Sequence, residues 1–317
     1  MAVYTKITDA QMKAFLRDYD LGAFEASEGI QQGVENTNYH VFMERGHFVL
    51  TIFEDRTNPA DIPFFFSFTD HLSAHGIHCP RAIAARDSNT IRTIEGRPAV
   101  LVNFLQGSTP VPEDMTPDHC RQIGALSARM HIAAKDFPQS RENSMGLPAW
   151  RELARKTADR ADGVAPGLTD LIAQELEYLE VHTPEDLPRA VVHADLFPDN
   201  VLFDEDVLSG VLDFYFSCTD LLVYDLMITA NAWCFDADGD FNAPFFDALL
   251  EGYEDLRPLL EKERAALSYM GRAAALRIMM TRLHDWVFHD PAHFVKPKDP
   301  RDSLARLKFH QNEKIDR

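Results

Sequence analysis

The residues best suited to chemistry lie in one short segment, residues 191–200, where a polar loop follows an apolar run. Within it, His193, Asp195 and Asn200 have the spacing H-x-D-L-x-x-x-N, and a second carboxylate, Asp213, closes the next apolar run thirteen residues beyond Asn200. An aspartate in such a loop can orient a weak hydroxyl nucleophile and accept its proton, while amide and carboxylate oxygens bind hard cations. The set predicts phosphoryl transfer to a hydroxyl, with Asp195 catalytic and Asn200 and Asp213 as Mg²⁺ ligands.

The same spacing is that of a kinase catalytic loop, in which Asp213 takes the position of the metal-binding aspartate of a D-F-G motif. We interpret His193 as a structural hydrogen-bonding residue rather than a base. The third motif position holds Tyr215 instead of glycine, and only eleven residues separate Asp213 from Asp225. Because this leaves no room for a long activation loop, we expect a small hydroxyl-bearing metabolite as acceptor rather than a protein.

The elements around this segment predict two lobes. In residues 1–103 we predict a capped helix after Thr8, a hairpin at residues 39–54 and a helix at residues 62–75. Three further strands are predicted at residues 82–85, 90–94 and 98–105. Beyond them we predict helices at residues 117–134, 170–181 and 263–287, and two short strands at residues 201–203 and 207–212. The expected fold class is α+β: a two-lobed protein-kinase-like fold, with a small antiparallel β lobe (1–103) and a larger, mainly α lobe (104–317).

Composition limits the partners. The 317 residues carry 31 Lys and Arg against 50 Asp and Glu, for a net charge of −19. Such a surface repels phosphate backbones and anionic lipid, so we expect neither nucleic acid nor membrane as a partner. The four cysteines show no C-x-x-C spacing, no apolar run approaches the length of a membrane span, and no secretory signal is apparent. We therefore expect a cytoplasmic protein.

Beyond the catalytic motif, several segments carry a resemblance to a known family, namely residues 33–39, 48–54, 231–235, 282–286, 297–301 and 309–311. The sequence resembles the aminoglycoside-phosphotransferase-like branch of the protein-kinase-like superfamily. Within that branch it is most similar to bacterial homoserine kinases, and the similarity spans nearly the whole chain. The resemblance implies ATP and Mg²⁺ as cofactors and L-homoserine as the small-molecule substrate, in threonine biosynthesis.

The resemblance also implies roles for residues outside the catalytic loop. Asn36 and Asn38 would bring backbone N–H groups and amides to the ATP phosphates. The backbone of Asn103 and Leu105 would bind the adenine edge. Asp225, in the first turn of a helix, would anchor the backbone of the catalytic loop.

A free amino acid brings a carboxylate, which suits a guanidinium fork, and an ammonium, which suits carboxylates. Candidates for the first are Arg272, Arg277 and Arg282, although their five-residue spacing drifts around a helix and cannot point all three into one pocket. Candidates for the second are Asp220 and Asp285, with Asp236 as a further possibility.

Two departures from the family pattern occur in the first lobe. Thr51 stands where the third strand normally carries Lys or Arg, and no acid lies between Asp61 and Asp70, where its partner is expected. The losses are mutually consistent, because a buried charge without its partner is costly. Phosphate charge would then be met by Mg²⁺ and backbone donors, with Arg45, His47 and Arg56 as further candidates. The run of phenylalanines at 64–68 is expected to be core.

Two alternatives stay open at this point. The chain would be a kinase for another small alcohol, such as choline, hydroxylysine or an aminoglycoside, or a catalytically inactive nucleotide-binding regulator. The departures at Thr51 and Tyr215 motivate the second, and the intact Asp195, Asn200 and Asp213 argue against it. The oligomeric state is expected to be monomer or homodimer.

Overall fold

A computed structural model describes residues 4–31, 36–236, 239–289, 296–313 and 315. By its internal contacts the chain forms two compact units, Met1–Gly107 with Ser209–Tyr215, and Ser108–Leu208 with Phe216–Arg317. The first unit is therefore built from two separate stretches of sequence. The predicted lobe boundary after residue 103 stays a prediction.

The first unit contains a five-stranded antiparallel sheet in the order β1-β2-β3-β5-β4. Its strands are β1 (Phe24–Gly29), β2 (Thr37–Met43), β3 (Gly46–Ile52), β4 (Ile91–Ile94) and β5 (Arg97–Asn103). The predicted hairpin is confirmed, since β2 pairs with β3 from Thr37 opposite Ile52 to Met43 opposite Gly46. The alternation of apolar side chains along both strands buries one face of the hairpin.

Two helices accompany this sheet, α1 (Asp9–Leu16) and α2 (Ile62–Ala74). The predicted capping box is confirmed, because the Thr8 hydroxyl accepts a hydrogen bond from the Gln11 backbone N–H. The phenylalanines at 64, 65, 66 and 68 are all buried on α2, so they belong to the core as expected.

In the first unit, one predicted strand is wrong and one observed strand was missed. The segment at 82–85 makes only an isolated bridge, between Ala82 and Val102, because the chain turns away where the Ala85 N–H donates to the Asn89 carbonyl. The strand β1 has a polar sequence, FEASEG, and is held by backbone pairing with β2 rather than by an apolar pattern.

The second unit is mainly helical. Its helices are α3 (Pro117–Ala133), α4 (Leu147–Ala161), α5 (Leu168–Val181), α6 (Leu222–Trp233), α7 (Ala243–Glu254), α8 (Glu261–Ala265), α9 (Leu267–Val287) and α10 (Pro300–Asn312). Two short antiparallel pairs join them: β6 (Arg189–Val192) with β9 (Cys218–Leu221), and β7 (Val201–Asp204) with β8 (Val207–Val211), the boundary between the units falling within β8. These two strand pairs flank the predicted catalytic loop.

The helix predicted over 263–287 is confirmed from Leu267 to Val287 as α9, whereas residues 263–265 belong to the separate helix α8. Ala266 lies in neither helix, and α8 is held separately because Glu263 binds both the Arg257 guanidinium, at 2.8 Å, and the Leu260 backbone N–H, at 3.0 Å. The helix α4 was not predicted, because its sequence is largely polar and buries few side chains.

The helices α3 and α7 meet backbone to backbone. A Cβ added to Gly124 would lie 1.9 Å from the Leu249 carbonyl oxygen, and one added to Gly252 would lie 2.0 Å from the Arg121 carbonyl oxygen. Only glycine permits this approach from each side. Among the helices of the described residues, none is long and apolar enough to cross a membrane.

Candidate active site

The segment with the H-x-D spacing forms a tight turn after β6. Ala194 has a left-handed backbone, with φ of 64°, and the His193 ring atom Nδ1 accepts a hydrogen bond of 3.2 Å from the Asp195 backbone N–H. His193 is buried, and a short helical turn, Pro198–Asn200, then leads into β7. The turn fixes Asp195 between two strands.

Asp195 and Asn200 are directly connected. The Asn200 amide nitrogen donates to the Asp195 carbonyl oxygen, at 2.8 Å, and to the carboxylate oxygen Oδ2, at 3.1 Å. These bonds use the donor side of the amide and direct its oxygen, Oδ1, away from Asp195. An amide oxygen fixed in this way is a suitable ligand for a hard cation.

The Asp195 side chain is 21% exposed and lies 3.8 Å from the Nη2 atom of Arg277. Burial raises the pKa of Asp195 above its ordinary value, while the charges of Arg277 and His193 act in the opposite direction. Arg277 is itself buried, and its Nη1 donates to the Ala194 carbonyl oxygen. A residue predicted to contact substrate thus contacts the catalytic loop.

Asp225 holds the same turn from α6. Its carboxylate accepts hydrogen bonds from the Ala194 backbone N–H, at 2.6 Å, and from His131 Nε2, at 2.9 Å, and all three residues are buried. Burial alone would raise the pKa of Asp225, but the hydrogen bond and charge of His131 outweigh it and hold the pKa below its ordinary value. The carboxylate therefore stays ionised beneath the loop.

Asp213 follows β8 and belongs to the first unit, whereas Asn200 belongs to the second. Its backbone is left-handed, with φ of 58°. The two residues that follow it are held in the aromatic core of the first unit: the Phe214 ring lies 6.0 Å from Phe68, and the Tyr215 ring lies 5.1 Å from Phe53. This packing fixes the backbone immediately after Asp213.

The residues predicted to hold Mg²⁺ are one amide and one carboxylate, both oxygen donors of the type that Mg²⁺ prefers. Among the described residues, His, Cys, Asp and Glu side chains form no group of three or more that could hold a metal ion.

The predicted phosphate loop is described in part, since residues 32–35 lie outside the described residues. The Asn36 side-chain oxygen accepts from the Glu54 backbone N–H at 3.2 Å, and the Asn38 side-chain oxygen accepts from the Thr51 hydroxyl at 2.7 Å. Both oxygens are thus engaged within the first unit, and the part of each amide that can still meet a phosphate is its NH₂ group.

At the predicted adenine site, Asn103 ends β5 and is already bonded to Arg81. Its backbone N–H donates to the Arg81 carbonyl at 3.2 Å, and its side-chain oxygen accepts from the Arg81 N–H at 2.7 Å. The adenine contact of Asn103 stays a prediction, and its carbonyl oxygen is the backbone group that would make it. Leu105 follows, and its side chain packs against Gly210 within the same unit.

The structure does not bring the three predicted arginines together. Arg272 binds Glu175 through two nitrogens, at 2.5 and 3.0 Å, and lies 3.5 Å above the Tyr178 ring. Arg282 lies 3.7 Å from the Asp302 carboxylate. With Arg277 at the catalytic loop, each arginine has a different environment.

The carboxylates predicted for the substrate ammonium also have partners. Asp220 accepts from the Asn143 side-chain amide at 2.6 Å and lies 3.5 Å from an Arg189 nitrogen. Asp285 lies 3.5 Å from its neighbour His284. Asp236 accepts a hydrogen bond from the Asp240 backbone N–H.

Two contacts to the catalytic loop were not predicted. The Lys298 ammonium lies 2.8 Å from the Asp199 carboxylate, and the Trp233 indole N–H donates to the Leu196 carbonyl at 2.9 Å. The only sequence signal for either was that both residues lie in segments that carry the family resemblance.

A kinase-type loop after a short strand, with its Asp and Asn hydrogen-bonded to each other, is typical of a class of ATP-dependent phosphotransferases. Residues 27–259 match the phosphotransferase enzyme family, and the chain belongs to that family. Its use of ATP follows from this membership, and the predicted α+β kinase-like fold is confirmed.

Relatives that match nearly the whole chain identify the kind of phosphotransferase more specifically. The chain is 47% identical to a homoserine kinase of Afipia carboxidovorans, over 98% of this chain and 95% of the relative. It is 46% identical to a homoserine kinase of Xanthobacter autotrophicus, over 98% and 96%. The predicted resemblance to homoserine kinases is confirmed.

Among solved structures, the fold matches the amicoumacin kinase hAmiN in complex with AMP-PNP, Ca²⁺ and Ami. The TM-score is 0.69 at 17% identity, covering 96% of this chain and 93% of the other. At this identity the match concerns the fold alone.

Proposed function

We propose that this chain is a homoserine kinase that transfers the γ-phosphoryl group of Mg·ATP to the side-chain hydroxyl of L-homoserine. The product would be O-phosphohomoserine, a precursor of threonine. The observation that carries the proposal is the catalytic loop, in which Asp195 and Asn200 are hydrogen-bonded, in a chain nearly half identical to homoserine kinases over its full length. We expect the enzyme to work in the cytoplasm as a monomer or homodimer.

In this proposal Asp195 orients the substrate hydroxyl and accepts its proton as the oxygen attacks the γ-phosphate. The raised pKa of Asp195 makes its carboxylate a stronger base than an exposed aspartate. Asp225 and Arg277 hold the Ala194 backbone, and through it the direction of the Asp195 side chain. Asn200 and Asp213 would hold Mg²⁺, which neutralises phosphate charge when bound.

A coupled assay of ADP formation, with a panel of amino acids and amino alcohols, tests the proposal. We expect L-homoserine to have the highest kcat/KM. Turnover confined to choline, hydroxylysine or an aminoglycoside would instead assign the chain to a different small alcohol. Nucleotide binding without turnover of any alcohol would favour the inactive regulator.

A further inference from the structure

Among the described residues, one cation close to Arg282 lacks a carboxylate of its own. Four carboxylates near the loop each have a cationic partner: Asp195 with Arg277 at 3.8 Å, Asp199 with Lys298 at 2.8 Å, Asp299 with Arg301 at 2.6 Å, and Asp302 with Arg282 at 3.7 Å. One further cation, Arg306, is close enough to Arg282 and Asp302 to interact with both electrostatically. It has no anion of its own among the described residues.

Arg306 lies on α10, four residues after Asp302, and therefore on the same face of that helix. Its Nε is buried and has no hydrogen-bond partner in the described part of the chain. The guanidinium lies 5.5 Å from the centre of the Phe235 ring, a cation–π contact that supplies no oxygen or nitrogen acceptor. Burying a guanidinium nitrogen without an acceptor costs free energy unless an anion occupies the place.

The cation whose charge acts on Arg306 is Arg282. Its side chain is 14% exposed, and its distance of 3.7 Å to Asp302 is too long for a hydrogen bond. The charges of Asp195 and Asp199 also act on Arg282, so it lies within electrostatic range of the catalytic loop. The two guanidiniums thus share one carboxylate, and this group has a net charge of +1 that one external carboxylate would balance.

We propose that Arg282 and Arg306 together bind the α-carboxylate of the amino-acid substrate. The inference rests on the proposed function, in which the acceptor is an amino acid and therefore brings a carboxylate along with its hydroxyl. Guanidiniums suit the task because their planar donors match the two carboxylate oxygens. Arg282 was one of three arginines that the sequence suggested, whereas Arg306 was not suggested by spacing or motif.

Another anion at this site would be a phosphate group of ATP. The two sources are separable by kinetics, because loss of a substrate carboxylate contact changes the kinetics for homoserine, whereas loss of a phosphate contact raises the KM for ATP. The most informative pair of acceptors is L-homoserine and 3-aminopropan-1-ol, which is homoserine with hydrogen in place of the carboxylate.

The variant Arg306→Met tests the site. We expect kcat/KM for L-homoserine to fall roughly 10- to 100-fold, as for loss of a hydrogen bond to a charged group. The values for 3-aminopropan-1-ol and the KM for ATP should stay unchanged. Arg306→Lys, which keeps the charge but loses the fork, should fall in between. The matched control is Lys308→Met, which removes an exposed charge from the same helix and should behave as wild type.

The outcomes distinguish a failure of the carboxylate site from a failure of the proposed function. If wild type prefers homoserine but Arg306→Met keeps the wild-type ratio between the two acceptors, or loses ATP affinity instead, the carboxylate site is wrong and the function stands. If wild type does not prefer homoserine over 3-aminopropan-1-ol, both are wrong.

Should Arg306→Met not fold, wild type answers the question with the neutral primary amide of homoserine. A loss of about 10-fold or more in kcat/KM relative to homoserine supports a site for a charged carboxylate. Equal use of the two acceptors overturns it.

Discussion

Three neighbouring residues hold Asp195, and each contacts a different part of it: the backbone N–H or one of the two carboxylate oxygens. His193 accepts the Asp195 backbone N–H, Asn200 donates to its carboxylate, and Arg277 lies beside the second carboxylate oxygen. A catalytic aspartate has to present one oxygen to the incoming hydroxyl with little reorganisation. These contacts hold the side chain in place before any substrate binds.

Replacing Asp195 with asparagine should therefore separate binding from chemistry. The amide keeps the shape of the side chain but cannot accept the hydroxyl proton, so we expect kcat to fall about 10²- to 10⁴-fold with little change in the KM for ATP. Steady-state kinetics with both substrates measures this. Asp199→Asn, in the same loop and exposed, is the control and should retain most activity. Near-normal turnover by Asp195→Asn would exclude its role as the base.

The charge of Arg277 should be visible in the pH dependence. The base acts when ionised, so kcat/KM falls as pH drops through the pKa of Asp195. Arg277 lowers that pKa by favouring the ionised form. In Arg277→Met the pKa rises further, and we expect the acid limb of the pH profile to move to higher pH. In Arg277→Lys, which retains the charge, the limb should move less. A limb that stays in place or moves to lower pH would contradict this.

At the scale of elements, the parts of the fold that could be predicted are those held by local contacts. The capped α1 and the hairpin of β2 and β3 fall into this group, since their signals lie within a few residues. The catalytic loop was predictable for the same reason. By contrast, Arg277 reaches Ala194 across 83 positions, and nothing near either residue indicates the contact. The strand β1 and the helix α4 have polar sequences, so their formation depends on contacts with neighbouring elements.

The residues around Thr51 explain why β3 carries no lysine at this position. Thr51 is 3% exposed, donates to the Asn38 side chain at 2.7 Å, and is also hydrogen-bonded to the Tyr215 hydroxyl. The two departures from the family pattern, Thr51 and Tyr215, thus form one contact. The neighbouring helix α2 turns phenylalanines inward, and its acid Asp70 is paired with Arg81 near the surface. The site is built for a hydroxyl rather than a charge.

We therefore expect Thr51→Lys to destabilise the protein by about 3–5 kcal/mol, the cost of a buried charge without its partner. Urea unfolding measures this. Thr51→Val is the control of similar size, and it should cost about 1–3 kcal/mol because the Asn38 oxygen loses its donor. A stable Thr51→Lys enzyme with a lower KM for ATP would mean that an acid reaches this position after all.

At the scale of the whole molecule, the net charge of −19 opposes the approach of an anionic nucleotide. Salt weakens that repulsion, since the Debye length falls from about 30 Å at 10 mM to about 10 Å at 100 mM ionic strength. We expect kcat/KM for Mg·ATP to stay constant or rise over that range, with kcat at saturation as the control for effects on the fold. A steep fall would show that local positive charge, rather than the net charge, governs nucleotide capture.

The discontinuity of the first unit has a consequence for biosynthesis. Its last stretch, Ser209–Tyr215, is separated from Gly107 by the chain of the second unit. During translation, the ribosome must make about twice the length of that first stretch before Tyr215 can join Phe53 and Phe65 in the aromatic core. A nascent chain stopped near residue 107 would display these rings to chaperones. A gene split at that point should yield an amino-terminal third that is soluble only when the rest of the chain is co-expressed.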